Sequence, residues 1–162
     1  RGGMLAARGQ VVLRLLERML ADVYFKRRPP KSTGRDHFNL AWLRTFGVMR
    51  HKPENIQATL AELTARSLVS AITRFSPRTE EIFFCGGGVH NVDLMGRIAR
   101  LLPRVGIAST ASLGIHPDWV EAMAFAWLAR CALKREPGNL ASVTGAEGPR
   151  VLGAIYPGAA LK

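Results

Sequence analysis

The stretch Glu80–Asn91 reads EEIFFCGGGVHN, and its reading decides the fold. An apolar run, Ile82, Phe83 and Phe84, ends in three consecutive glycines, Gly86, Gly87 and Gly88. Asn91 then opens the amphipathic run VDLMGRIARLL. The order is strand, bare backbone, helix start. Glycine lets a backbone approach a flat or anionic group that a Cβ would hold off. A helix N-terminus beside it offers free N–H groups and the positive end of a dipole. Together these suggest a nucleotide site. The glycines are contiguous, unlike the spaced G-x-G-x-x-G of dinucleotide folds, and no Lys-Ser/Thr pair follows them as in a Walker A loop. The same residues also fit a plain strand-to-helix turn.

Outward from this stretch, Glu81–Cys85 is expected as a strand buried on both faces, because its apolar residues do not alternate with polar ones. Asn91–Leu102 is expected as a helix. Its core stripe is Val92, Met95, Ile98, Ala99 and Leu102, with Arg97 and Arg100 facing elsewhere and Pro103 as the stop. Val105–Ser109 reads as a second short strand. A helical crossover between two strands implies that they are parallel and connected right-handed. Pro117–Leu133 reads as a helix that is apolar nearly all round, with Trp119, Val120, Met123, Phe125, Trp127 and Leu128, the pattern of a helix buried on most sides. Arg130, Lys134 and Arg135 suit its negative pole, and Pro137-Gly138 ends it.

Upstream, Val11–Ala21 reads as a short helix, with Val12, Leu15, Leu16 and Met19 at helical spacing. Tyr24–Phe38 is a basic loop broken by Pro29-Pro30, and Asn39–Phe46 a second short helical piece. Pro53–Phe75 is the longest helix: Pro53 suits the first helical position, Glu54 the first turn, and Ile56, Leu60, Leu63, Ala71 and Ile72 share a stripe. The tail Asn139–Lys162 is rich in Gly, Pro, Ser and Thr and holds one strand-like piece, Val151–Tyr156. The fold class is α/β in one domain over 1–162. Residues 1–52 form a linker, short helices and the basic loop, 53–136 the core, and 137–162 a tail. So few parallel strands make an incomplete sheet. That feature, and a start at Arg1 without methionine, point to further strands supplied by residues before Arg1 or by another chain.

At 162 residues and 48% hydrophobic content the chain can bury a core, and it is not compositionally disordered. Its net charge of +11 favours anionic partners such as nucleic acid, phosphorylated metabolites or an anionic membrane surface. Arg and Lys are spread over the whole length, however, as solvated charges would be. Cys85 and Cys131 form no C-x-x-C pair, which fits a reducing cytosol better than a zinc site or a disulfide framework. The longest apolar run, Ala122–Ala129, is far short of a membrane span. His37, His51, His90 and His116 have no metal-ligand spacing.

Two further places could carry chemistry. Lys31-Ser32-Thr33-Gly34-Arg35 puts two cations, two hydroxyls and a glycine within five residues, the groups that bind phosphate or a sugar carboxylate. An exposed basic loop would look the same. Glu121 stands in the first turns of the apolar helix with no cation at i+3 or i+4. Burying such a carboxylate is costly, so it either faces a cleft and accepts a hydrogen bond or merely stabilises the helix start, as Asp118 would.

Taken in order, PPKSTGRDHFNLAWL (Pro29–Leu43), QATLAELTARS (Gln57–Ser67), CGGGVHN (Cys85–Asn91), PDWVEAMAFAWLA (Pro117–Ala129), PGNLASVTGA (Pro137–Ala146) and RVLGAIYP (Arg150–Pro157) resemble one family, the anhydro-N-acetylmuramic acid kinases. The resemblance implies an actin-like sugar-kinase fold, two lobes closing over ATP and Mg²⁺. This chain would be the C-terminal, nucleotide-binding lobe. The implied enzyme is cytoplasmic and serves peptidoglycan recycling. It opens the 1,6-anhydro bridge of 1,6-anhydro-N-acetylmuramic acid with water while phosphorylating O6, giving N-acetylmuramic acid 6-phosphate. By the same analogy Gly86, Gly87, Gly88 and Asn91 lie along the adenosine. Lys31, Ser32, Thr33 and Arg35 lie near the cleft on the substrate side, and Glu121 helps hold the sugar. The family's phosphate-binding loop and its catalytic aspartate in a D-T-G-P-G segment do not occur in these residues. No catalytic residue and no metal ligand is therefore expected here, and the chain alone is expected not to turn over. The implied partners are the N-terminal part of the same enzyme and a second copy in a homodimer, with no membrane or nucleic acid. The competing reading is a non-enzymatic basic module that binds nucleic acid or a partner chain.

Overall fold

The computed structural model describes residues 2–156 and 158. Its first half is helical: α1 (Met4–Arg8), α2 (Leu13–Leu20), α3 (Val23–Lys26), α4 (Leu40–Arg44) and the long α5 (Pro53–Phe75). The expected stripe on α2 forms the core. Leu15, Leu16 and Met19 are buried against Val48 and Leu63, with Phe25, Trp42 and Phe46 packed around them. Polar groups on the inner face of α5 dock the chain entering α2. Val12 N–H donates to Thr59 Oγ1 at 3.0 Å, and Gln10 N–H donates to Asn55 Oδ1 at 2.9 Å. Gly9 is required at that crossing, because a Cβ there would overlap the Glu54 carbonyl. α5 has the expected bounds, with Pro53 in its first turn and Ala58, Thr59, Leu63 and Ala65 buried. Ile56, Leu60, Ala71 and Ile72 are half-buried beside them.

The second half holds β1 (Glu81–Phe84), α6 (Val92–Leu101), β2 (Gly106–Ser109), α7 (Val120–Lys134) and α8 (Ala141–Thr144). β1 and β2 pair in parallel, with Glu81 opposite Gly106 and Phe84 opposite Ser109, and α6 is the crossover between them. The class is α/β, with a two-stranded parallel sheet and flanking helices.

Four expectations are corrected here. β1 is not covered on both faces: Glu81 and Phe83 are exposed while Ile82 and Phe84 are partly covered. A run of apolar residues reads as two-sided, but two strands here have a layer on only part of their surface. On α6 the stripe is rotated. Val92 and Ala99 are exposed, whereas Arg97 is buried beside Ile98. Arg97 is tolerated there because Nε donates to Asp93 at 2.8 Å and Nη1 to Glu62 of α5 at 2.9 Å. Burial pushes the Glu62 carboxyl up, and its bonds from Arg66 and Arg97 more than reverse that, leaving it below its ordinary value. α7 is not enclosed: Cys131 is its one buried residue, and Met123, Phe125 and Trp127 are half exposed or more, as is Trp119 just before it. Finally, Val151–Tyr156 is not a strand. The tail instead carries α8, and Asn139 ties it together by bonding the Gly148 carbonyl and the Arg150 N–H. Pro157 of the RVLGAIYP segment and the tail beyond Gly158 lie outside the described residues. Among the described residues no helix is long and apolar enough to cross a membrane.

Candidate functional site

The glycine turn is built by its neighbours on both sides. Gly86 follows β1 at φ 74° and ψ 179°, a conformation that only glycine adopts without strain. Gly87–His90 then form a single 3₁₀ turn, and Asn91 caps α6 by accepting the Leu94 N–H at 3.1 Å. Asn91 is thus committed to the helix start, where Gly3 packs so closely that a Cβ on it would overlap the Asn91 side chain. The glycines themselves face open space. Apart from its chain neighbours, a Cβ built on Gly86, Gly87 or Gly88 finds no heavy atom of the described residues within 4 Å.

On its other side the turn is pinned to the residues that lead into α7. Gly86 N–H donates to the Pro117 carbonyl at 2.9 Å. His90 Nε2 stands 2.8 Å from Asp118 Oδ1. An ionised carboxylate only accepts, so Nε2 carries the proton in this bond. His116 Nδ1 accepts the Asp118 N–H at 3.3 Å, which outweighs its 4.0 Å approach to the Asp118 carboxylate. Glu121 lies in the first turn of α7, just past this clasp, and is exposed. The cost expected of a buried, unpaired carboxylate does not arise in this chain.

The basic loop is folded around Asp22, which sequence reasoning missed. Asp22 caps α3 by accepting the Tyr24 N–H at 2.8 Å and also accepts the Trp42 indole N–H at 2.9 Å, with His37 Nε2 at 3.3 Å. Burial raises the Asp22 carboxyl, and these bonds bring it below its ordinary value on balance. The Pro29-Pro30 peptide is cis, and Pro30 lies against Gly145 of the tail. Lys31 is occupied locally: its Nζ donates to the Tyr24 carbonyl at 3.1 Å and sits 4.6 Å from the centre of the Tyr24 ring. Ser32 is exposed and does not line the cleft beside the loop. Thr33 and Arg35 do line it. The cleft has a volume of about 850 Å³, with Tyr24, Phe38 and Trp42 on its apolar wall and Gln57 and Thr64 of α5 opposite. No residue of the glycine turn or of α7 lines this cleft.

The structure therefore brings the glycine turn and the start of α7 together and leaves the basic loop in a separate cleft. His90 and Asp118 join the first group although nothing in their spacing marks them, since they lie 28 positions apart. The only local signal is a histidine two positions after the last glycine. Among the described residues, no group of three His, Cys, Asp or Glu side chains is placed to hold a metal ion.

The family profile described as anhydro-N-acetylmuramic acid kinase matches residues 1–158. An anhydro-N-acetylmuramic acid kinase of Pseudomonas fluorescens (strain Pf0-1) is 54% identical over 159 residues, which are 97% of this chain and 44% of that protein. The protein of the same name from Thiobacillus denitrificans is 53% identical over 160 residues, covering 97% of this chain and 43% of its own length. That of Xanthomonas campestris pv. campestris (strain 8004) is 51% identical over 156 residues, covering 96% and 41%. The chain thus spans under half the length of the curated relatives it matches. On the profile match and these identities, the chain belongs to the anhydro-N-acetylmuramic acid kinase family.

Proposed function

We propose that this chain is the C-terminal, nucleotide-binding lobe of an ATP-dependent kinase with an actin-like fold. The enzyme's substrate is 1,6-anhydro-N-acetylmuramic acid and its product N-acetylmuramic acid 6-phosphate, in cytoplasmic peptidoglycan recycling. The observation that carries the reading is the open glycine turn. Three glycines stand in a row between β1 and α6, and apart from their chain neighbours no atom of the described residues lies within 4 Å of where their Cβ atoms would be. A flat base or ribose can reach that backbone, and a side chain there would keep it off. The residues present fit a nucleotide at the turn. Among the described residues no group of three His, Cys, Asp or Glu side chains is placed to hold a metal ion, so Mg²⁺ would be held by the phosphates and by other parts of the enzyme.

On this reading Gly86, Gly87 and Gly88 lie along the adenosine, and Asn91 contributes by fixing the start of α6. Glu121, exposed at the start of α7, is free to accept a hydrogen bond from a sugar hydroxyl. Thr33 and Arg35 present a hydroxyl and a guanidinium in the separate cleft beside the basic loop, while Lys31 and Ser32 shape that loop. Phosphoryl transfer needs phosphates, metal and nucleophile positioned together. This chain supplies one side of that arrangement, and by itself it is expected to show no phosphorylation of the anhydro sugar. The remainder of the enzyme and a second copy are its partners.

The test is salt dependence. Titrate the chain with ADP and, separately, with a short single-stranded oligonucleotide, from about 50 to about 200 mM salt, a range over which multi-phosphate contacts lose orders of magnitude in affinity. The nucleotide reading predicts saturable ADP binding that weakens little. Tight oligonucleotide binding that collapses with salt, with no ADP binding, would establish the basic-module reading instead.

A further inference from the structure

We infer that His90 and Asp118 are a positioning pair for the nucleotide turn, holding the three glycines at a fixed distance from the start of α7. The inference rests on the reading of that turn as the nucleotide site. The turn is anchored at both ends to adjacent residues of one segment. Its first residue, Gly86, donates its N–H to the Pro117 carbonyl at 2.9 Å. His90, which closes the 3₁₀ turn, donates Nε2–H to Asp118 Oδ1 at 2.8 Å. Gly87 and Gly88 are suspended between these anchors, and apart from their chain neighbours no atom of the described residues lies within 4 Å of their Cβ positions. Glycine is the most freely rotating of residues, and three in succession would sample many conformations if held at one end only. A second anchor removes most of that freedom before a ligand arrives, which is how preorganisation gains affinity.

The pair also links two functions. Asn91, the next residue after His90, caps α6, so the turn is fixed to α6 behind and to α7 in front. Glu121 follows Asp118 by three positions, at the start of α7. A shift of the turn is therefore passed to the helix that carries Glu121. His116 does not substitute for His90: its Nδ1 is already accepting the Asp118 N–H.

The pair is about half exposed on both sides, with side-chain exposures of 57% and 45%, so its worth is bounded by that of a solvent-exposed polar pair. Removing it should weaken ADP binding about three- to fivefold, the ratio that corresponds to the upper range for such pairs. The experiment measures ADP affinity by calorimetry for the wild-type chain, His90→Ala, Asp118→Ala, the double variant, and His90→Gln, whose amide N–H replaces the imidazole donor. Expected are equal losses in both single variants, no further loss in the double, and recovery in His90→Gln. Protection of the Gly86 amide against hydrogen exchange should fall in the same three alanine variants, with thermal midpoints unchanged. Wild-type ADP affinity that none of the variants alters would overturn the pairing while leaving the nucleotide site standing. Absence of ADP binding in the wild type would remove the site itself. Additive losses in the double variant would show two independent surface effects and also overturn the pairing.

Discussion

The two halves of this chain use the same vocabulary of apolar residues at helical spacing, with opposite results. In the first half, α2 lays Leu15, Leu16 and Met19 onto α5 and all three are buried. In the second, α7 is more apolar than α2, yet Met123 is 52% exposed, Phe125 64% and Trp127 50%. A periodic stripe states which face wants burial. Whether it is buried depends on a second surface within reach, and α2 has one in α5. The relatives of this chain are more than twice its length, and α7 has no equivalent partner among the residues described here.

The sharpest way to break this comparison is to cut into both halves. Leu16→Ala, at the centre of the helical core, should destabilise the chain by about 2–5 kcal/mol, the usual cost of emptying a closed site. Thermal or urea denaturation reads it directly, and a loss under about 1 kcal/mol would mean that the first half is not packed as described. The next effect is electrostatic. Arg97→Ala removes two charge-assisted bonds from a mostly buried cluster and leaves Glu62 with Arg66 alone; a cost of about 2–3 kcal/mol is expected.

The same cluster predicts an acid limb. Glu62 has its carboxyl held below the ordinary value of 4.5, so it contributes stability above that pH and loses it as pH falls through the lowered value. Asp22, also lowered, acts in the same sense. Denaturation midpoints should be level near neutrality and fall below about pH 4.5, less steeply in Arg97→Ala. A midpoint that rises on acidification would contradict the cluster. The smallest effect belongs to the second half. Trp127→Ala should cost no more than about 1.5 kcal/mol, because half of the ring is already in water. A large loss there would show that α7 is covered in solution after all, for instance by a second copy of the chain.

What the sequence made legible follows the same division. The limits of α5 could be read because Pro53 marks its start and its stripe meets a partner inside the chain. The parallel pairing of β1 and β2 could be read because α6 between them leaves one handed solution. Burial of β1 and α7 was misread because it requires layers these residues do not include. The burial of Arg97, expected to face away from the core stripe, has another reason: its acceptors on α5 and α6 cannot be seen in one dimension. At the candidate site the glycines were legible as bare backbone. The clasp from His90 to Asp118, and the Asp22 hub under the basic loop, depend on contacts between distant positions and were not. Nor did the sequence show that Thr33 and Arg35 would line a cleft apart from the glycine turn.

The central claim is that a nucleotide lies on the bare backbone of Gly86–Gly88, and Gly87→Val tests it most directly. Gly87 has no positive φ and its Cβ direction is empty for 4 Å, so valine should fold there without strain. ADP titration of the wild type and this variant, with thermal midpoints measured alongside, isolates the ligand's approach from the fold. The account predicts an unchanged midpoint and an ADP affinity lower by at least about tenfold, roughly 1.4 kcal/mol. An unchanged midpoint with unchanged ADP affinity would contradict it and place the nucleotide elsewhere.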